Sequence, residues 1–256
     1  MIFSFLRYWL SARNEHALHS PFLYDLYTRT IRANGRHQSN FAPIRALRNE
    51  LRNRDQAINV TDYGTGAGQY SRSIKSIARQ SLKSDKFGRL LYRLAQRFEA
   101  KAVLDLGTSL GITTAYLAKA VGENDGQVIT FEGCPQTAAI ASDTFTKLGC
   151  GNVQQVIGDL NEMLTPTLAS VGDIDLVFFD ANHRYEPTIQ YFTACLDHIH
   201  NDSVFIFDDI HWSVEMEKAW NSIKAHSSVT VTIDLFYVGL VFFRCEQPKQ
   251  DFILRF

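Results

Sequence analysis

One segment constrains the fold of this chain most strongly. Residues 103–111 run from a short apolar stretch through Asp105 into a glycine loop, and a helix pattern starts at Ile112. A strand, a tight glycine turn and a helix N-terminus together place backbone amides where a ligand can bind them. A second glycine-rich loop, residues 62–68, is a rival for the same role.

Strands alternate with helices after residue 101, and near-continuous apolar strands are typical of a parallel sheet that is covered on both faces. The predicted parallel strands are residues 102–106, 127–131, 153–157, 174–179 and 203–207. Residues 229–235 and 240–244 lie too close together for a helix between them, so they predict an antiparallel hairpin. The sequence therefore predicts an α/β, Rossmann-like sheet of seven strands, five parallel plus the hairpin, with helices on both faces.

The first 83 residues predict a helical extension of basic character, followed by the main domain over residues 84–256. A helix starts at Ser20-Pro21, residues 57–68 resemble a short strand and turn, and a helix is predicted over residues 69–82. Residues 1–85 hold 13 Lys and Arg but only 6 Asp and Glu. This segment could face an anionic partner such as RNA or a lipid headgroup, or it could dock on the acidic remainder of the same chain.

Composition narrows the class of protein. The chain has 256 residues, 45% hydrophobic and 21% charged, which is typical of a soluble globular protein. No apolar run reaches the length of a membrane span, and the N-terminus lacks the features of a signal peptide. The four cysteines lie far apart and form no C-x-x-C pair, which argues against a zinc site or a disulfide framework and indicates the cytoplasm.

An acidic residue decides between the two glycine loops. Nucleoside-binding folds place an acid at the end of the next strand, where it holds ribose hydroxyls. Glu132 stands in that place, 25 residues after Gly107, whereas no strand ends in an acid at that distance after Gly64. The loop at residues 107–111 is therefore the predicted ligand site, and the loop at 62–68 is interpreted as a turn that could cover the pocket. The G-x-x-x-G spacing of the loop at residues 107–111 disfavours a nicotinamide-dependent oxidoreductase, which stays as an alternative.

The order of these motifs resembles the class I S-adenosylmethionine-dependent methyltransferases. The resemblance rests on residues 103–111, Glu132, Gly158-Asp159, Asp180 and Asp208-Asp209, and on the terminal hairpin. The sequence Gly-Thr-Ser-Leu-Gly-Ile-Thr-Thr is similar to the O-methyltransferase branch with the catechol, caffeoyl-coenzyme A and macrolide-sugar enzymes. The resemblance implies that S-adenosylmethionine is bound by Asp105, Gly107, Thr108, Ser109, Gly111, Thr113, Glu132, Gly133, Asp159, Leu160 and Asp180.

Within that resemblance the cofactor residues divide by the part of the ligand that they hold. Asp105 and the loop up to Thr113 would line the methionine part, and Glu132 would hold both ribose hydroxyls. Asp159 would bind the adenine amino group, with Leu160 against the ring. The resemblance also implies a homodimer.

Three carboxylates are predicted to converge where the fourth and fifth parallel strands end. Asp180, Asp208 and Asp209 would repel one another unless a hard divalent cation, Mg²⁺, Ca²⁺ or Mn²⁺, lay between them. The alternative is that the aspartates only cap the helix that begins near Ser213. The predicted general base is His183, three residues after Asp180. Predicted substrate contacts are Arg184, Tyr185, His211 and Trp212.

The sequence thus predicts metal-assisted O-methylation of a small hydroxylated molecule, with Asp180 and His183 as catalytic residues. The basic N-terminal segment suggests the alternative of an RNA, lipid or phosphorylated acceptor, although a small molecule is the expected partner rather than nucleic acid.

Overall fold

The computed structural model describes residues 2–33, 41–63 and 68–256, with side chains from Ser4 onward. Helices and strands alternate along most of the chain. The α-helices are α1 Ile2–Ser11, α2 Pro21–Leu26, α3 Ala42–Leu51, α4 Ile74–Ser81, α5 Asp85–Arg97, α6 Ile112–Gly122, α7 Pro135–Leu148, α8 Leu160–Leu168, α9 Tyr185–Cys195 and α10 Val214–Ala225. The strands are β1 Ala57–Asp62, β2 Gly68–Ser73, β3 Ala102–Leu106, β4 Gln127–Glu132, β5 Val153–Ile157, β6 Leu176–Phe179, β7 Val204–Asp208, β8 Val231–Asp234, β9 Val238–Phe242 and β10 Gln250–Ile253.

The chain divides into two compact units. One comprises Met1–Asn34 together with Thr167–Phe256, and the other is Gly35–Pro166. The predicted division into an extension over residues 1–83 and a domain over residues 84–256 is not tested by this clustering and stays a prediction.

In the Gly35–Pro166 unit, three parallel strands end at one edge. β4 lies between β3 and β5, with Leu106 opposite Phe131 and Glu132 opposite Ile157. β3 and β4 contain several buried apolar side chains, and α6 is buried along nearly its whole length. Because the carboxyl ends of parallel strands meet at the same edge, the loops that follow β3, β4 and β5 lie side by side.

In the other unit, parallel and antiparallel strands are combined in the order β10-β8-β9-β7-β6. β6 and β7 are parallel, and β8 and β9 form the predicted antiparallel hairpin. β9 also pairs antiparallel with β7, and β10 adds a parallel strand beside β8 that the sequence did not predict. The mixed, mostly parallel strands with flanking helices confirm the predicted Rossmann-like α/β fold class.

A hairpin replaces part of a predicted helix in the N-terminal third. The helix predicted over residues 69–82 was wrong at its start, because Gly68–Ser73 form β2 and pair antiparallel with β1. The helix begins only at Ile74, where Ser73 caps it by accepting a hydrogen bond from Ser76 N at 3.3 Å. Four residues of the rival glycine loop, 64–67, lie outside the described residues.

Helix α1 packs through one side against the end of its own unit. Tyr8 and Ala12 are buried with Phe236, and the Tyr8 hydroxyl donates to Leu254 O at 2.6 Å. None of the helices in the described part of the chain has the length and apolar character that a membrane span requires.

Candidate functional site

The glycine loop between β3 and α6 depends on backbone conformations that favour glycine. Gly107 has a φ of +133° and Gly111 a φ of +80°. A Cβ at Gly111 would also lie 2.8 Å from Cε1 of Phe145. The loop therefore leads the main chain tightly into α6, whose first amides have no partner within the helix. Such a turn offers hydrogen-bond donors to a ligand.

Asp105 lies beneath this loop and stabilises it through hydrogen bonds. Its side chain is fully buried, and Oδ2 accepts hydrogen bonds from Thr114 Oγ1 at 2.5 Å and Thr130 Oγ1 at 2.9 Å. The Thr130 hydroxyl is also 2.6 Å from that of Thr108. The network ties β3, β4 and α6 together beneath the loop. A contact of Asp105 with a cofactor stays a prediction.

Glu132, the last residue of β4, links the glycine loop after β3 to the segment that follows β4. Its Oε2 accepts a hydrogen bond from Ser109 N at 2.9 Å, and its Oε1 accepts one from Cys134 N at 3.0 Å. Burial raises the pKa of Glu132 to about 7, although the two backbone hydrogen bonds oppose this, and the charge of Asp62 raises it further. The carboxylate is therefore held rigidly, and it titrates near neutral pH.

The third strand end brings Gly158 and Asp159 to the same edge. Gly158 N donates to Glu132 O at 3.0 Å, and Gly158 has a φ of +148°. Asp159 Oδ1 accepts from Asn161 N at 3.0 Å, so Asp159 caps the start of α8. The loop residues Gly107 to Gly111 and the residues Thr113, Glu132, Gly133, Asp159 and Leu160 thus follow or adjoin three neighbouring strand ends.

A second cluster of functional side chains lies in the other unit, at the ends of β6 and β7. Asp180, His183 and Asp208 each offer one ligand atom, and these atoms all lie within 4.8 Å of one another. His183 Nε2 is 3.5 Å from Asp180 Oδ1. Asp208 is buried, while Asp180 and His183 are partly exposed. Two carboxylates and an imidazole in such a cluster fit a divalent cation that accepts oxygen and nitrogen ligands.

The backbone around this cluster adopts an unusual conformation. Asn182, His183 and Asp209 have φ values of +68°, +34° and +53°, in the left-handed region that residues other than glycine rarely occupy. Such strain persists only where surrounding structure enforces it, and it concentrates at functional sites. Here it aims the His183 side chain back toward Asp180.

Asp209 does not join the metal-ligand group of the described residues. Its backbone N donates to Tyr237 O at 2.7 Å, and the side chain that completes the cluster is His183. The role of Asp209 as a metal ligand stays a prediction.

Two of the four predicted substrate-contact residues form hydrogen bonds with other residues of their own unit. His211 donates or accepts through both ring nitrogens, with Asp234 at 2.7 Å and Glu217 at 3.3 Å, and its ring stacks on Phe236. Burial acts to lower the pKa of His211, but the hydrogen bonds and charges of the two carboxylates outweigh it and raise the pKa. Tyr185 N donates to Glu215 Oε2 at 3.0 Å.

The other two predicted contacts are more accessible. Arg184 is half-buried just before α9, and Trp212 is 60% exposed. All four substrate contacts stay predictions.

Tyr63 lies beside the predicted cofactor site, and no sequence motif predicted it there. The ring of Tyr63 lies against Gly133, so close that a Cβ on Gly133 would lie 2.6 Å from Tyr63 Cδ2. Tyr63 belongs to the glycine-rich segment that was interpreted as a turn. The sequence feature that could have indicated it is an aromatic residue between Asp62 and the glycines.

Comparison with known protein families gives a match over part of the chain. Residues 104–210 match the family described as a methyltransferase domain. The matched segment runs from β3 to just past β7, so it includes Glu132, Asp159, Asp180 and Asp208.

Curated relatives that are named as catechol O-methyltransferases match part of the chain. A catechol O-methyltransferase of Mycobacterium tuberculosis is 33% identical over 124 residues, which are 48% of this chain and 54% of that protein. The chain spans about half the length of the curated relatives that it matches.

Two solved structures show the same fold. The SAH-bound methyltransferase of Podospora anserina covers 89% of this chain and 97% of its own, with a TM-score of 0.64 and 15% identity. The O-methyltransferase TomG of Streptomyces achromogenes in complex with SAM covers 64% and 82%, with a TM-score of 0.54 and 24% identity.

The raised pKa of Glu132 predicts a pH-dependent stability. Between its unfolded pKa of about 4.5 and its folded pKa of about 7, the folded state keeps a proton that the unfolded state loses. The free energy of unfolding should therefore fall as pH rises through this window, by about 3 kcal/mol for this residue. Glu132→Gln should remove that part of the pH dependence in urea unfolding at pH 5 and pH 8.

The exposed Glu162 provides the control. Glu162→Gln should keep the pH dependence of the wild type. A Glu132→Gln variant with the same pH dependence as the wild type would show that the buried carboxyl does not titrate in this window.

Proposed function

We propose that this chain transfers the methyl group of S-adenosylmethionine to a hydroxyl oxygen of a small molecule. The observation that carries the proposal is the link from Glu132 to the glycine loop, because it sets a buried acid and backbone donors at adjacent strand ends. The methyltransferase domain match over residues 104–210 supports this assignment. The relatives named as catechol O-methyltransferases favour oxygen as the acceptor atom.

The Gly35–Pro166 unit would hold the cofactor. S-adenosylmethionine supplies an electrophilic methyl group when bound. Each Glu132 oxygen accepts one backbone hydrogen bond and has a further lone pair, so the carboxylate can accept hydrogen bonds from the two ribose hydroxyls. The amides of the loop up to Gly111 would orient the methionine part, while Asp105 keeps the loop in place from beneath.

The cluster of Asp180, His183 and Asp208 would hold the acceptor with a divalent cation. Such a cation lowers the pKa of a hydroxyl group when it is bound beside it. The two aspartates are the ligands in this proposal, and His183 is the base. Asp180 Oδ1 lies 3.5 Å from His183 Nε2, so this carboxylate borders the imidazole that would accept the hydroxyl proton.

Replacement of His183 should separate catalysis from binding. His183→Ala should lower the turnover of methyl transfer by about a hundredfold or more, since general bases contribute on that scale. The dissociation constant for S-adenosylhomocysteine should stay within about twofold of the wild type. The assay is methyl transfer from labelled S-adenosylmethionine to a catechol at saturating cofactor. Normal turnover, or a loss of Mn²⁺ affinity as large as that of Asp180→Asn, would contradict the role as base.

The neighbouring aspartates provide a matched pair for the metal. Asp208→Asn should weaken Mn²⁺ binding by at least about tenfold, because it removes a carboxylate from the ligand group. Asp209→Asn should leave the affinity within about threefold, since Asp209 is outside that group. Titration calorimetry or Mn²⁺ electron paramagnetic resonance measures both. Equal losses of Mn²⁺ affinity in the two variants would show that Asp209 is also a ligand. Unchanged Mn²⁺ binding in both variants would exclude the metal site.

A further inference from the structure

The hairpin of β1 and β2 is attached to the strand end that carries Glu132. Asn59 N donates to the side-chain oxygen of Gln136 at 2.7 Å, and the Cys134 thiol lies 3.5 Å from Asn59 O. Cys134 precedes α7 directly, and Gln136 lies in the first turn of that helix. The hairpin is therefore fixed beside the predicted ribose-binding acid.

The aromatic ring of Tyr63, directly after β1, covers Gly133. A Cβ at Gly133 would lie 2.6 Å from Tyr63 Cδ2 and 3.1 Å from Cε2, and contacts below 3.0 Å require the structure to shift. Only glycine at position 133 lets the ring approach the backbone this closely. The side chain of Tyr63 still has about half of its surface, 49%, exposed to solvent.

The end of the hairpin is also close enough to Glu132 to act on it electrostatically. The charge of Asp62 contributes to the raised pKa of the Glu132 carboxyl. The end of the hairpin thus acts on the acid through the charge of Asp62 and contacts the adjacent glycine through the ring of Tyr63.

We propose that Tyr63 is a binding residue for the adenosine part of S-adenosylmethionine, and that residue 133 is glycine so that this ring can border the site. The inference rests on the proposed function, which places the ribose at Glu132. An exposed aromatic face next to a ribose-binding acid can stack on a purine or pack on the sugar. Stacking of a base on an aromatic side chain changes affinity by roughly ten- to a hundredfold.

The test compares the full-length wild type with Tyr63→Ala, Tyr63→Phe and Tyr70→Ala. Tyr70 is an exposed aromatic residue of the same hairpin and serves as the matched control. Titration calorimetry measures the dissociation constants for S-adenosylhomocysteine and for adenosine. Tyr63→Ala should raise both constants by the same factor of about ten or more. Tyr63→Phe and Tyr70→Ala should stay within about twofold of the wild type.

A second variant tests the role of the glycine. Gly133→Ala should displace the ring and weaken S-adenosylhomocysteine binding about as much as Tyr63→Ala does. Combined with Tyr63→Ala it should add little, because the two changes remove the same contact. Fully additive losses would overturn the link between the two residues.

The outcomes separate this inference from the proposed function. If the wild type binds S-adenosylhomocysteine and Tyr63→Ala binds it equally well, the inference is overturned and the proposed function stands. A loss of equal size in Tyr70→Ala also overturns it, because a general effect on the hairpin would then explain the result. If the wild type binds no S-adenosylhomocysteine, the proposed function itself fails.

Discussion

The candidate cofactor site depends on the hydrogen bonds of a buried carboxylate at the end of β4. Glu132 accepts one hydrogen bond from the glycine loop and another from the residue directly before α7. A carboxylate in this place loses hydration, so its pKa rises toward neutrality, and the two backbone donors offset part of that cost. A site that keeps such a group gains a rigid acceptor for hydroxyl groups. The same acid also borders the Tyr63 hairpin.

The sequence predicted the strand ends and the loop that carry the candidate cofactor residues, because their spacing follows from local rules. The alternation of apolar strands and helices, the glycines of residues 107–111 and the acid after the next strand are all spaced by the geometry of a parallel sheet. The structure places each of them at one edge, and the left-handed backbone of Gly111 explains why glycine ends the loop. The terminal hairpin was equally predictable, since β8 and β9 leave no room for a helix.

The remaining features depend on contacts between residues distant in sequence. The strand Gly68–Ser73 exists because it pairs with β1, and its own residues carried no strong strand pattern. The approach of His183 to Asp180 and Asp208 occurs in a segment whose left-handed residues no spacing rule predicts. The hydrogen bonds of the His211 ring were not predictable either, because their partners Asp234 and Glu217 follow it by 23 and 6 residues.

The pH dependence of S-adenosylhomocysteine affinity tests the central role of Glu132 most directly. The ionised carboxylate accepts hydrogen bonds from both ribose hydroxyls, whereas the protonated form gives up one acceptor position. Calorimetric titrations between pH 5.5 and 8.5 should show a dissociation constant that is constant above about pH 7 and rises by up to tenfold per unit below it. Glu132→Gln should bind weakly at every pH. An affinity that is the same across the whole range, or equal in the two proteins, would contradict the account.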